Sequence, residues 1–184
     1  MESRMMRSCW TVWLAVPLVL TGVLPNSGLT AAEKAVSLQV VDKAGYDKAI
    51  AKHKGKVVLV DCWATWCVPC IRAFPKTVAL HEELAKDGLV VVSLSFDSLS
   101  DDAPPPKTLK FLQDKHATFE NFISKLDISE DGADAFQIEG GALPHFKLYG
   151  RDGRLLKTFS SSEEDDSSFT HADIENAVKA ALQK

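Results

Sequence analysis

Cys62, Cys67 and Cys70 lie close together in a chain of 184 residues. Cys67 and Cys70 enclose Val68 and Pro69. A pair with this spacing suits either thiol–disulfide exchange or half of a metal site. Its context favours exchange, because the pair follows an apolar run, Lys56–Trp63, and opens a helical pattern, Val68–Lys86. A helix N-terminus presents free N–H groups and partial positive charge. Both stabilise a thiolate at Cys67 and draw its pKa below the free value of about 8.5. Thiolate is the attacking species in disulfide exchange. Cys70 lies one turn further on, on the same face and less exposed. Cys67 is the candidate nucleophile and Cys70 the candidate resolving thiol.

The neighbours supply further candidates. Asp61 is an acid in an otherwise apolar run. Burial raises a carboxyl pKa, and a partly protonated acid near Cys70 can relay a proton through a water. A capping or ion-paired Asp61 is the competing role. Cys62 alternates onto the face of Val58 and Val60 and suits an inert core thiol. Trp66, beside the nucleophile, suits shielding and substrate contact, and Trp63 suits the core. Pro69 stiffens the first helical turn, where its missing N–H costs nothing.

These residues need a scaffold to hold them. Ser37–Val41 suits a short strand, and Tyr46–Lys54 a short helix ended by Gly55. Lys56–Trp63 and Leu89–Phe96 suit strands buried on both faces. The helix between them turns Ile71, Phe74, Val78 and Leu84 inward, and Pro75 predicts a kink. Strand, helix and strand with short joins predict a parallel βαβ unit. Asp97–Lys107 is a loop with three successive prolines, and a helix follows over Lys107–His116. Ala117–Ile128 is ambiguous, with strand character at Phe119–Ile123, and Ser129–Phe136 suits a short helix. Pro144–Tyr149 and Arg154–Phe159 flank Gly150-Arg-Asp-Gly153, a hairpin signal. Ser160–Ser168 is a solvated serine and acid loop. Thr170 and Asp173 form a capping box for a last amphipathic helix, with Ile174, Ala177, Val178, Ala181 and Leu182 on one face. There is no internal repeat.

The N-terminal segment has a different character. Arg4 and Arg7 precede an apolar run, Trp10–Leu24, and small residues follow. That order is a signal peptide over residues 1–32, cleaved near Ala31 or Ala32, ahead of one domain over residues 33–184. The run is short of the ~20 residues of a membrane-spanning helix; an uncleaved anchor is the alternative. Cys9 precedes the run, so it is not placed as a lipoprotein cysteine. Export exposes Cys67 and Cys70 to oxidising conditions. The composition, 46% hydrophobic and 25% charged with a net charge of −4, suits a globular domain. A mildly acidic chain without a Lys/Arg block gives phosphates nothing to bind, so no nucleic-acid partner is expected.

The segment Trp63-Ala-Thr-Trp-Cys-Val-Pro-Cys70 resembles the thioredoxin superfamily, and best its exported TlpA/ResA-like thiol–disulfide oxidoreductases. Lys54–Val60 and Gly140–Gly153 belong to the same resemblance, which runs from Val36 to the C-terminus. It implies an α/β thioredoxin-like fold, a central mixed sheet flanked by helices. An inserted segment, Asp97–Phe136, would separate the Cys-x-x-Cys unit from the strand after Pro144. It implies a cis Pro144 facing the cysteines, with Leu143 offering backbone groups to an extended substrate. It also implies protein thiol or disulfide substrates, a membrane-bound electron donor, and action as a reductant, in some relatives toward apocytochromes c. The only cofactor expected is the Cys67–Cys70 disulfide itself, with no metal, in a monomer. Two departures stand out. Ser93 occupies the place where many thioredoxins carry a lysine beside the buried acid, and Val-Pro replaces the usual middle pair. His145 is either a substrate contact or simply exposed.

Rival chemistries fit less well. A c-type haem site needs His after Cys70, where Ile71 stands. A peroxiredoxin needs Thr or Ser three residues before its reactive cysteine, where Ala64 stands. Structural zinc needs a second ligand pair. The alternatives kept are a copper-carrying thioredoxin-like protein using Cys67, Cys70 and a histidine such as His145, and a thiol oxidase or isomerase. A thioredoxin-like adaptor is disfavoured by the intact cysteine pair.

Overall fold

Two runs of β-branched and apolar residues form the centre of the sheet. In the computed structural model, which describes residues 35–160 and 169–184, they are β2 (Val57–Trp63) and β3 (Leu89–Ser95). They pair in parallel, Val57 with Leu89 through Trp63 with Ser95. Every residue of β2 is buried, as expected of a strand covered on both faces. The helix between them, α2 (Val68–Leu84), runs through Pro75 without a break. Pro75 lies on its exposed side. A 3-10 turn, Ala85–Asp87, and Gly88 at φ 102° end the helix; glycine adopts that left-handed conformation without a Cβ clash.

The sheet grows outward from this pair. β1 (Gln39–Val41), β4 (Glu120–Ser124), β5 (His145–Tyr149) and β6 (Leu155–Ser160) complete the order β1-β4-β3-β2-β5-β6. β1, β4, β3 and β2 run parallel, and β5 and β6 join antiparallel as a hairpin. This is the mixed, thioredoxin-like sheet that the resemblance implied. The ambiguous stretch 117–128 resolves into β4, and the inserted segment is therefore structural: it places a strand between β1 and β3.

Helices cover both faces. α1 (Lys43–Lys52) starts ahead of the expected Tyr46, because Asp42 caps it by accepting from the Gly45 N–H at 2.8 Å. α3 (Pro106–Asp114) and α4 (Glu130–Ala135) belong to the insertion. α5 (His171–Leu182) opens on the expected capping box: Thr170 N donates to Asp173 at 2.8 Å, and Asp173 N donates back to Thr170 at 3.3 Å. One core layer holds Leu59, Trp63, Phe74, Val78, Phe146 and Ile174. The other holds Val58, Val60, Cys62, Leu94, Tyr46 and Phe136. Alternation along β2 thus divides its side chains between two separate layers. The signal-peptide segment and the 161–168 loop lie outside the described residues.

Candidate active site

The end of β2 and the start of α2 place the two cysteines. Cys67 is the N-cap of α2, and its Sγ accepts a hydrogen bond from the Cys70 N–H at 3.3 Å. Pro69 stands in the first turn, where no helical partner for its nitrogen is lost. Cys67 and Cys70 are joined as a disulfide, with Sγ–Sγ 2.03 Å and Cα–Cα 5.3 Å. Both cysteines are largely buried, at 5% and 2% residue exposure. Trp66 and Val68 beside them are 54% and 56% exposed. Two exposed apolar side chains thus flank a recessed disulfide.

Asp61 lies on β2, two residues before Trp63, and is buried. Its strand neighbours are Ser93 on β3 and Phe146 on β5. The Ser93 hydroxyl donates to Asn121 at 2.9 Å, so the position of the missing lysine is turned elsewhere. From α2, Thr77 donates to Oδ2 of Asp61 at 2.6 Å. Burial pushes the Asp61 carboxyl up to about 7, with the Thr77 hydroxyl pulling the other way. The acid is thus poised near neutrality, with no charged partner among the described residues.

The Leu143–Pro144 bond is cis, as the resemblance implied. Pro144 is buried and Leu143 partly buried between the two core layers. His145 corrects its expectation: it is not at the surface, but 2% exposed. In the β2–β5 register it pairs with Cys62, on the layer away from Asp61. Among the described residues neither of its ring nitrogens has a hydrogen-bond partner. Burial first, and the charge of Lys147 second, push its pKa down to about 4. Lys147 is also buried and donates to the Phe136 carbonyl at the end of α4.

The loop Ala64–Trp66 is held from below by Asp97, just past β3. Its buried carboxylate accepts from Thr65 N at 3.2 Å and from Thr65 Oγ1 at 2.5 Å. It also accepts from Ser95 Oγ and Thr108 Oγ1, each at 2.9 Å. Lys107 Nζ stands 3.7 Å away. One carboxylate thus ties the loop before Cys67 to β3 and to α3 of the insertion.

Comparison with known families matches residues 31–158 to the AhpC/TSA family. The chain belongs to the AhpC/TSA family. Among its relatives, the thiol:disulfide interchange protein CycY of Rhizobium leguminosarum bv. viciae is 33% identical over 126 residues, 68% of this chain. The chain spans 59% of the length of CycY. The thiol-disulfide oxidoreductase ResA of Geobacillus kaustophilus is 23% identical over 141 residues, 77% of this chain and 72% of that protein. A crystal structure of a thiol:disulfide interchange protein of the thioredoxin family from Chlorobium tepidum TLS superimposes with a TM-score of 0.52. It has 22% identity and covers 72% of this chain and 83% of that one. That likeness is one of fold.

In this AhpC/TSA-family chain, Cys67 and Cys70 stand together at one end of the sheet, with Trp66 on the exposed rim. Cys62 is set apart. It is free and buried on the opposite layer, and burial pushes its thiol up to about 12. Among the described residues no group of three His, Cys, Asp or Glu side chains could hold a metal ion. His145, the histidine named for the copper alternative, pairs with Cys62 on the other core layer. Two residues of the site escaped the sequence reading, Thr77 and Asp97. A buried threonine on the inward face of an amphipathic helix was the available signal for the first. An acid ending an apolar strand was the signal for the second.

Proposed function

We propose that this chain is an exported thiol–disulfide oxidoreductase whose Cys67–Cys70 couple exchanges with protein thiols and disulfides, acting as a reductant. The observation that carries the reading is Cys67 at the N-cap of α2, its sulfur facing the Cys70 N–H across the pair. An N–H so placed would hold a thiolate at Cys67 once the disulfide is opened. A dithiol donor, membrane-bound as the resemblance implies, reduces the couple. Cys67 thiolate then attacks a substrate disulfide, and one substrate sulfur leaves as a thiolate and takes a proton. Cys70 gives its proton through a water to Asp61 and attacks the Cys67 sulfur. The Cys67–Cys70 bond forms and the bond from Cys67 to substrate breaks, releasing the second thiol. Trp66, Leu143 and Pro144 are the substrate-binding residues in this reading, Trp66 from the exposed rim.

Export rests on the charged, apolar and small-residue order of residues 1–32. Apocytochromes c are one client class that the resemblance supplies. The names of ResA and CycY support the reaction class. Two measurements test the proposal. Purified protein lacking residues 1–32 should reduce a protein disulfide with a dithiol donor, and Cys67→Ser should abolish turnover. The potential of the couple should lie nearer that of thioredoxin, about −270 mV, than that of a strong oxidant, about −120 mV. Undiminished turnover in Cys67→Ser overturns the enzyme, and a potential near the oxidant value overturns its direction.

A further inference from the structure

A threonine inside a helix usually bonds its own backbone or faces water. Thr77 does neither. It is fully buried, and its hydroxyl crosses from α2 to the strand below and ends on Oδ2 of Asp61 at 2.6 Å. The other carboxylate oxygen, Oδ1, has no side-chain partner among the described residues. Among the described residues Thr77 is the side chain seen to donate to Asp61, and on β2 the neighbouring Cys62 turns to the other core layer. β3 brings Ser93, whose hydroxyl is bonded to Asn121. β5 brings Phe146. The buried residues of α5 are Ile174, Val178 and Ala181, all apolar. None of these carries a charge.

We propose that Thr77 is a positioning residue for proton transfer: its hydroxyl pins Oδ2 of Asp61, so that Oδ1 carries the proton exchanged with Cys70. The inference rests on the reading that Asp61 relays that proton. A hydroxyl has one hydrogen, and here it is directed at Oδ2. The proton of the neutral acid then resides on the oxygen left open. The same bond favours the ionised carboxylate against the burial that opposes it. Thr77 thus supplies with a neutral donor what a lysine would supply with a charge. The consequence is kinetic. When Cys70 attacks the mixed disulfide, its S–H proton moves to the water and from there to Oδ1. The Cys70–Cys67 bond forms, and the sulfur bound to Cys67 leaves as a thiolate. No outside oxidant or reductant enters this step.

The probe is 5,5′-dithiobis(2-nitrobenzoate) mixed with the fully reduced protein in a stopped-flow instrument. Attack by Cys67 releases the first thionitrobenzoate, and attack by Cys70 releases the second. The rate of the second release is followed against pH, and the Asp61 carboxyl is titrated separately by carbon NMR. Thr77→Val removes the donor and keeps the shape. It should move the midpoint of both curves upward by about one to two pH units, the worth of one hydrogen bond to a charged group. Thr77→Ser should restore the parental midpoint, and Thr77→Ala repeats the loss should the valine fail to fold. Parental midpoints in Thr77→Val and Thr77→Ala, together with a profile abolished in Asp61→Asn, overturn the role of Thr77 and leave the relay standing. A parental profile in Asp61→Asn overturns the relay and the role of Thr77 with it.

Discussion

Replacing Asp97 by asparagine tests how the loop before Cys67 is held. The parent carboxylate is 1% exposed and takes hydrogen bonds from Thr65 N, Thr65 Oγ1, Ser95 Oγ and Thr108 Oγ1. All four groups donate here, so a carboxylate with two oxygens satisfies them without any group changing role. The amide of Asp97→Asn would turn one oxygen into an N–H₂ group aimed at donors. The hydroxyls can rotate to accept, whereas the Thr65 N–H, which reaches both oxygens at 3.2 Å, would keep only one of them. Each hydrogen bond to a charged group is worth about 1.5–3 kcal/mol net. Losing the charge and one or two such bonds predicts a destabilisation of about 3 kcal/mol, a large part of the ~5–15 kcal/mol that holds a domain. Urea unfolding of the oxidised protein measures the loss, and amide exchange at Thr65 locates it. Displacing the loop by about an ångström should also slow disulfide reduction by roughly ten- to a hundredfold. A loss under about 0.5 kcal/mol, the ordinary scatter of surface substitutions, with unchanged Thr65 exchange would refute the idea that this carboxylate holds the loop.

Alkylation of the reduced protein near neutral pH should label Cys67 first, and labelling of Cys70 ahead of it would reverse the assigned roles. Cys62, buried with its thiol pushed up to about 12, should stay unlabelled until the protein unfolds. Protein purified without chelator should contain well under one equivalent of copper or zinc; stoichiometric copper that disappears in His145→Ala would favour a carrier.

Periodic features were the ones legible in the sequence. The β2–α2–β3 unit announces itself through long apolar runs, the hairpin through its glycines, and α5 through its capping box, because each signal lies within a few residues of its effect. The cis Pro144 came by resemblance, from the segment around it. Asp97 and Thr77 were hidden for the opposite reason. Thr65 is 32 residues from Asp97 and Thr77 is 16 from Asp61, and no local pattern encodes partners that far apart. His145, whose exposure is one of two readings of the sequence, is buried instead, and so is Lys147, whose ammonium ends on the Phe136 carbonyl past α4. α1 begins earlier than its apolar pattern suggests because Asp42, a single capping residue, outweighs the weak periodicity that follows it.

Two buried titratable groups, one on each face of the sheet, make opposite contributions to how stability varies with pH. Asp61 keeps its proton to about pH 7 in the fold and loses it near 3.8 when unfolded. Its raised pKa therefore withdraws stability as pH rises from about 4 to 7, by at most about 4 kcal/mol at 1.36 kcal/mol per unit. His145 behaves in reverse. It charges near 6.5 when unfolded but only near 4 in the fold, so the stability of its neutral form is full above about 6.5 and is lost as pH falls toward 4, by about 3 kcal/mol. The two slopes span the same window with opposite sign. Neither group acts on the other's titration, which fits their places on opposite faces of the sheet. Their contributions should nearly cancel in the parent. Asp61→Asn should leave a protein that gains stability from pH 4 to 7 relative to the parent, and His145→Leu one that loses it. The double variant should return to the parental slope, because distant sites without shared partners add. Urea unfolding of the four proteins at intervals across that range measures all three differences. Single variants whose curves run parallel to the parent's would show that neither group is shifted by its burial.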